Sequence, residues 1–117
     1  MNFAKISDLA CNCGCGKAET TFDFIEKLNR IQANCPYSLK IIDWCRCVQY
    51  NNILKKNIDG HHLSGMEIDL ECFVPFERYT LVNLFYKSNF NIIKIGLNTL
   101  HIALDTSVGN VMFVVLS

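Results

Sequence analysis

The sequence predicts an α+β domain with a small, mostly antiparallel sheet flanked by two to three helices. Apolar residues recur at helical spacing in the first third of the chain and again after Pro75, whereas short alternating stretches rich in β-branched residues occupy most of the remainder. The chain has 117 residues, of which 50% are hydrophobic and 19% charged, which is enough for one packed core. We therefore expect residues 1–117 to form a single domain.

The first long helix is predicted from about Thr21 to Ala33, after a Cys/Gly-rich loop that runs to Lys17. Threonine at positions 20 and 21 offers a cap, and acidic side chains follow near the positive end of the helix dipole. Cys35-Pro36 ends the helix, because the residue before a proline disfavours the helical conformation. The apolar face repeats every three to four residues: Phe24, Ile25, Leu28 and Ile31.

The middle of the chain alternates between strand and loop signals. Residues 38–42 are predicted as a strand, residues 43–57 as mostly loop with a short helical turn, and Asp59-Gly60 as a turn. Residues 66–70 alternate apolar and acidic side chains, which predicts a second strand.

A second long helix is predicted to begin at Pro75, which suits a first helical turn, and to end near Ser88-Asn89. Its expected apolar face is Tyr79, Val82, Phe85 and Tyr86. The remaining β-rich stretches, 91–95, 100–104 and 111–116, complete the sheet.

Charge and hydropathy exclude several classes of partner. Eleven basic and eleven acidic residues balance, which argues against nucleic-acid binding and against a polybasic membrane-surface protein. We also see no apolar run of about 20 residues, the length that a membrane span needs. The N-terminus lacks the apolar segment of a secretory signal, so we expect synthesis in a cytoplasm.

Seven cysteines are many for this length, and an odd number without a signal peptide makes free thiols or a metal site the expectation rather than a disulfide framework. One cluster is Cys11, Cys13 and Cys15, and a second flanks Arg46. The two clusters could meet as a structural zinc or iron–sulfur site, or simply pack together as small buried thiols. Cys35 and Cys72 are expected to be ordinary core or near-surface residues, and Trp44 is expected to be a core aromatic rather than a substrate-stacking wall.

The histidines suggest chemistry. His62 precedes Asp69 by seven positions, and His101 starts a later β-rich stretch. Two histidines and an aspartate form a three-ligand zinc set that leaves a position for water, as in catalytic sites. The alternative is that these histidines are hydrogen-bonded residues of the core, and that the glycines around them serve only the turn.

Four segments together carry a resemblance to a known family. They are the run Cys11-Asn12-Cys13-Gly14-Cys15-Gly16; residues 39–51 with Asp43-Trp44-Cys45-Arg46-Cys47; His62-Leu63-Ser64-Gly65 with Asp69; and Ile95-Gly96-Leu97 through Leu100-His101-Ile102. In this order they resemble the zinc D-alanyl-D-alanine carboxypeptidase and endopeptidase family, in its small bacterial and phage-endolysin branch. That family is related in fold to the Hedgehog signalling domain.

The resemblance implies roles for individual residues. His62, Asp69 and His101 would hold Zn²⁺, with His61 as the competing ligand. Arg46 would bind the peptide carboxylate or the developing oxyanion, since a guanidinium forks onto such groups. The substrates would be peptidoglycan stem peptides.

The sequence departs from the family pattern at the general base. Where many members have an acid three residues before the last histidine, this chain has Asn98, which cannot abstract a proton. Glu67 is the nearest alternative carboxylate, on the same strand face as Asp69, although the sequence favours interpreting it as a solvated or salt-bridged strand glutamate. The acid usually found two residues after that histidine is Ala103 here, and Asp105 could substitute for it only if the strand bulges.

Three functions therefore stand as hypotheses. The first is a zinc peptidase acting on cell-wall peptides, monomeric, without nucleic-acid or membrane partners, and reaching the wall after lysis or holin-dependent release. The second is a catalytically degenerate domain of the same fold that binds peptidoglycan or serves a structural role. The third is a cysteine–metal interaction module in which the histidines are incidental.

Overall fold

The computed structural model describes residues 6–54, 61–105, 107 and 111–115. Within them, α-helices and strands alternate as α1 (Ile6–Leu9), α2 (Phe22–Asn34), β1 (Ile41–Asp43), α3 (Val48–Ile53), a 3₁₀ helix (His61–Ser64), β2 (Glu67–Glu71), α4 (Pro75–Lys87), β3 (Ile92–Ile95), β4 (Thr99–Ala103) and β5 (Met112–Val115). The predicted α+β class is confirmed.

The strands of the described residues form one five-stranded sheet in the order β1-β2-β4-β3-β5. Three of its pairings are antiparallel, and β5 joins β3 in parallel at the far edge. The sheet is thus mixed and mostly antiparallel, as the sequence predicts.

Helix α2 forms for the reasons that its sequence suggests. The Thr21 hydroxyl accepts a hydrogen bond from the Phe24 N–H at 3.1 Å, and Asp23 lies in the first turn. Its buried side chains, Phe24, Leu28, Ile31 and Gln32, belong to one face. The helix ends at Asn34, just before Cys35-Pro36.

Helix α4 begins at Pro75 as expected, but its predicted apolar face is partly wrong. Leu81 and Phe85 are buried, whereas Tyr79 is 68% exposed and Tyr86 47% exposed. Residues 81 and 85 lie one turn apart, and Phe85 packs edge-on against Phe90 with ring centroids 5.1 Å apart. Because Phe85 packs on Phe90, the face of α4 that is buried contains Leu81 and Phe85, and the two tyrosines point to another side of the helix.

Two local predictions also need correction. The strand predicted at 38–42 is observed at Ile41–Asp43, so it begins three residues later and ends one residue later. Before it, the Gln32 side chain donates to the Tyr37 carbonyl and accepts from the Leu39 N–H, each at 2.9 Å, and so takes the place of a strand partner. The N-terminal segment contains the short helix α1, where only loop is expected. Within the predicted loop, α3 supplies the helical turn, while residues 55–57 and the Asp59-Gly60 turn lie outside the described residues.

The two faces of the sheet differ in character. One hydrophobic cluster joins α2 and α4 to the inward side chains of the central strands. These strand residues are Ile68, Leu70, Ile93, Leu100 and Ile102. The alternate positions of the same strands carry Glu67, Asp69 and His101, so the opposite face is polar and holds the candidate site.

Candidate metal centre

Sheet register places four polar residues in one row across adjacent strands. Asp43 of β1 pairs with Asp69 of β2, Asp69 pairs with His101 of β4, and His101 pairs with Lys94 of β3. Because directly paired residues project from the same face, their side chains are neighbours although the chain separates them widely. The row defines the floor of the candidate site.

Asp69 is the centre of this row. Its Oδ1 lies 3.0 Å from Nε2 of His62 and 2.6 Å from Nδ1 of His101. Its Oδ2 accepts a hydrogen bond from Nη2 of Arg46 at 3.1 Å. Two imidazoles therefore converge on one carboxylate oxygen, while the other oxygen is held by a buried cation.

His62 is oriented by the backbone next to Trp44. Its Nδ1 lies 2.5 Å from the Trp44 carbonyl oxygen, which fixes that nitrogen as the donor and leaves Nε2 for the site. Trp44 is itself buried in the core, as expected, and its indole N–H donates to the Gly65 carbonyl at 2.7 Å. The site histidine is thus fixed by a rigid part of the fold.

His101 is oriented by a neighbour on its own strand. Its Nε2 lies 3.0 Å from the Thr99 hydroxyl, which occupies the same face two residues earlier. Nδ1 is consequently the ring nitrogen that faces Asp69.

Glu67 belongs to the site rather than to a solvated strand surface. It is 5% exposed, and its Oε2 lies 3.1 Å from Nε2 of His62. Its Oε1 lies 4.0 Å from Nζ of Lys94, a side chain that remains 36% exposed. A carboxylate and an accessible amine therefore border the two imidazoles.

Arg46 lies behind Asp69, with only 5% of its surface exposed. Nε donates to Oδ2 of Asp43 at 2.7 Å, and Nη1 donates to Oδ1 of Asn51 at 3.4 Å. With Nη2 bound to Asp69, the guanidinium is already occupied by groups of the protein. Its geometry is that of a residue that positions Asp69, which differs from the substrate contact that the resemblance implies.

Three other sequence candidates do not contact Asp69 in the way that the zinc set would require, although Nδ1 of His61 lies 3.8 Å from Oε1 of Glu67 at the border of the cluster. Asn98 is exposed in the β3–β4 turn, where its backbone carbonyl accepts a hydrogen bond from the Cys72 N–H at 2.9 Å. Nε2 of His61 lies 2.7 Å from Oδ2 of Asp105, whose Oδ1 accepts hydrogen bonds from Ser107. Asp105 consequently does not support His101, which has Thr99 instead.

Neighbouring charges and hydrogen bonds set the pKa values of His62, Asp69 and Glu67 when no metal is bound. Burial lowers the pKa of His62, but hydrogen bonds and charge from Asp69 and Glu67 outweigh it and raise that pKa to about 9. Burial raises the pKa of Asp69, yet hydrogen bonds from His101 and His62 hold it well below its usual range. The pKa of Glu67 is likewise lowered by His62 against the effect of burial.

The described residues contain groupings that could hold a metal ion. Two of them share Asp69: one adds Asp43 and His62, and the other adds Glu67 and His101, with ligand atoms within 4.8 Å of one another in each set. The donor chemistry fits a divalent cation. Of three buried carboxylates, Asp43 and Asp69 pair with the Arg46 guanidinium and Glu67 lies 4.0 Å from the Lys94 amine, which leaves a formal excess of one negative charge when the histidines are neutral. A third grouping consists of cysteines.

Sequence reasoning missed Asp43 and Thr99 as supporting groups, and it missed the Trp44 carbonyl. The position of Thr99, two residues before His101 on a strand, was the available signal. The backbone carbonyl and the β1–β2 register have no signature in a single sequence.

Comparison with known proteins yields no match among family models, curated proteins or solved structures. Among the described residues, no helix combines the length and the apolar character that crossing a bilayer requires.

Proposed function

We propose that this chain is a zinc metallopeptidase in which His62, Asp69 and His101 hold Zn²⁺ and that its substrates are peptidoglycan stem or cross-link peptides. The observation that carries the proposal is the meeting of both imidazoles on Oδ1 of Asp69, at 3.0 and 2.6 Å. Such a set of two nitrogen donors and one oxygen donor suits zinc and leaves a position for water.

Neighbouring groups orient the donor atoms of the two histidines and of Asp69. His62 would bind through Nε2, since Nδ1 is engaged by the Trp44 carbonyl, and His101 would bind through Nδ1, since Nε2 is engaged by Thr99. Partners of this kind orient ligand histidines and raise their basicity. Arg46 holds the other oxygen of Asp69 and so restricts the rotation of the carboxylate.

When bound, zinc supplies an acidified water and polarises the scissile carbonyl. Glu67 would act as the general base that takes a proton from the attacking water and passes it to the leaving amine, since its Oε2 lies beside Nε2 of His62 and its lowered pKa keeps the carboxylate ionised. Asn98 has no such role, since it is an exposed amide in the turn. Lys94 would attract the carboxylate of a peptide substrate, since its amine borders Glu67 and is partly accessible.

The substrate class rests on the sequence resemblance. The Cys/Gly-rich opening, the histidine-to-aspartate spacing of seven and the later His101 strand support it together. On this proposal, the chain acts as a monomer on the wall after lysis or holin-dependent release.

Digestion of purified muropeptides tests the activity. The zinc-loaded protein should release cleaved stem peptides, a chelator should abolish cleavage, and added zinc should restore it. A Glu71→Gln variant is the matched control, because Glu71 lies on the same strand and bonds Lys40 at 2.7 Å at the surface. It should cleave normally. Absence of cleavage by protein with full zinc content would overturn the peptidase proposal.

Two observations favour a second candidate function. Asn98 replaces the usual acid, and Glu67 is already paired with His62. A domain that binds cell-wall peptides without cutting them would have these features. Sedimentation of the zinc-loaded protein with intact cell walls, without release of peptides, would support this alternative.

A further inference from the structure

A second cluster of ligand-type side chains lies outside the site described above. The sulfur atoms of Cys11, Cys13, Cys15 and Cys47 all lie within 4.8 Å of one another. Cys11 and Cys13 are 3.5 Å apart, Cys13 and Cys47 are 3.6 Å apart, and all four are free thiols. Three come from the N-terminal loop and one from the turn that carries Arg46.

These separations suit a tetrahedral thiolate site. Zinc–sulfur bonds of about 2.3 Å place the sulfurs at the corners of a tetrahedron about 3.8 Å on edge. The two measured separations are within a few tenths of an ångström of that edge.

Backbone N–H groups already point at three of the sulfurs. Sγ of Cys15 receives the Lys17 N–H at 3.5 Å, and Sγ of Cys11 receives the Cys47 N–H at 3.3 Å. Sγ of Cys47 receives the Tyr50 N–H at 3.3 Å. Donors of this kind stabilise the negative charge of metal-bound thiolates.

Glycines shape the loop that brings the sulfurs together. Gly14 and Gly16 have φ values of +85° and +89°, and an added Cβ would meet no atom within 4 Å at either position. Glycine is therefore needed at these two positions for the positive φ, and not because a larger side chain would clash. The left-handed turns allow alternate cysteines to approach the same point.

Hydrophobic packing does not explain this cluster. Cys11 is buried, but Cys13 and Cys15 are exposed, so they gain little by burial. Cys45, which the sequence places beside Cys47, is buried and lies apart: its sulfur accepts the Glu19 N–H at 3.4 Å. The packing interpretation holds for Cys11 and Cys45 and fails for the exposed pair.

We propose that Cys11, Cys13, Cys15 and Cys47 bind one structural Zn²⁺ that joins the N-terminal loop to the arginine turn. Four thiolates leave no position for water, so this site is closed and has no catalytic role. The same loop already contacts strand β1, just before that turn, through Asn12, whose side chain donates to the Ile42 carbonyl at 2.9 Å. The ion would thereby hold Arg46 in place against Asp69.

This inference does not depend on the peptidase proposal, and metal counting separates the two. Wild-type protein purified with zinc under reducing conditions should contain about two ions per chain. Cys13→Ser and Cys47→Ser should each lose about one ion, and His62→Ala should lose the other. Cys35→Ser is the matched control, since Cys35 is a partly buried thiol outside the cluster, and it should keep both. A Cys13→Ser variant with unchanged zinc content would overturn the proposal.

Two measurements on the wild-type protein test the proposal without depending on whether the variants fold. Protein loaded with Co²⁺ should show the intense sulfur-to-metal charge-transfer bands of a four-thiolate site, which the histidine–aspartate site cannot produce. A thiol reagent should label the exposed Cys13 and Cys15 slowly until a chelator is added. Absence of those bands or rapid labelling of the zinc-loaded protein would contradict the proposal.

Discussion

Asp69 and His101 face each other across the β2–β4 ladder, and Oδ1 of Asp69 lies 2.6 Å from Nδ1 of His101. This contact joins residues 32 positions apart in the chain. It follows from the register of two antiparallel strands, so the same hydrogen bonds that build the sheet also assemble the candidate metal centre.

Glu67→Gln should separate metal binding from turnover. The amide keeps the size of the side chain but cannot take a proton, so we expect the variant to retain zinc and to lose about 10²–10⁴-fold in kcat. Muropeptide cleavage rates and zinc content measured on the same samples check this. Near-normal turnover would show that the base lies elsewhere, and loss of zinc would show that Glu67 is a ligand.

The stability of the metal-free protein should fall as the pH rises from about 6.5 to about 9. The pKa of His62 is raised from 6.5 to about 9 in the folded state, so its contribution is fully present below the lower value and is lost as the pH passes through the higher one. The expected loss is on the order of 3 kcal/mol. Urea unfolding across this range, in chelator, measures it.

Substitution of His62 by Gln should flatten that pH profile, because the titrating group is then absent. Zinc should have the opposite dependence, since the ion displaces the proton, and its apparent affinity should rise over the same window. A metal-free profile that is level between pH 6.5 and 9 would contradict the protonation scheme.

Arg46→Leu should destabilise the metal-free protein by about 3–5 kcal/mol. The substitution leaves Asp43 and Asp69 as buried carboxylates without their guanidinium, which costs more than the loss of an exposed ion pair. Arg30→Leu is the control, since Arg30 pairs with Glu26 at the surface with 71% of its side chain exposed. It should change stability by less than about 0.5 kcal/mol. Equal effects in the two variants would refute a buried role for Arg46.

Gly65→Ala should be among the most damaging small substitutions. Gly65 has φ +72°, and an added Cβ would lie 1.7 Å from the Glu19 carbonyl oxygen, so backbone must move. We expect a loss beyond about 4 kcal/mol or failure to fold. Gly16→Ala has similar φ but open space, and about 1–2 kcal/mol is expected there. Thermal unfolding of the metal-free variants compares them.

The sequence predicts the fold class and most elements because their signals are local. The cap at Thr21, the proline at position 75 and the alternation around Ile68 each act within a few residues. The apolar face of α4 is predicted only in part, with Phe85 right and the two tyrosines wrong, because the Phe85–Phe90 contact, made beyond the end of the helix, decides its rotation. Packing decides which side chains of a helix are buried, and a periodic apolar pattern in the sequence does not determine that choice.

Site prediction divides in the same way. His62, Asp69 and His101 are selected by spacing and residue type, and in the structure each histidine contacts Asp69, although the two histidines belong to different groupings that could hold a metal ion. The support of His62 by the Trp44 carbonyl and the pairing of Asp105 with His61 depend on tertiary placement, so spacing alone could not assign them. Cys47 lies with the N-terminal thiols and Cys45 does not. The conformation of the turn around Arg46 decides this, so it could not be predicted from spacing either.

Zinc titration of an Asp69→Asn variant beside Glu71→Gln, each with the cysteine cluster already saturated, tests the central claim most directly. Asparagine preserves the shape of the side chain but removes the charge on which both imidazoles converge. Calorimetry should show that Glu71→Gln binds the additional ion as wild type does, and that Asp69→Asn binds it at least about 10-fold more weakly. Equal affinity in the two variants would contradict the assignment of Asp69, His62 and His101 as a metal centre.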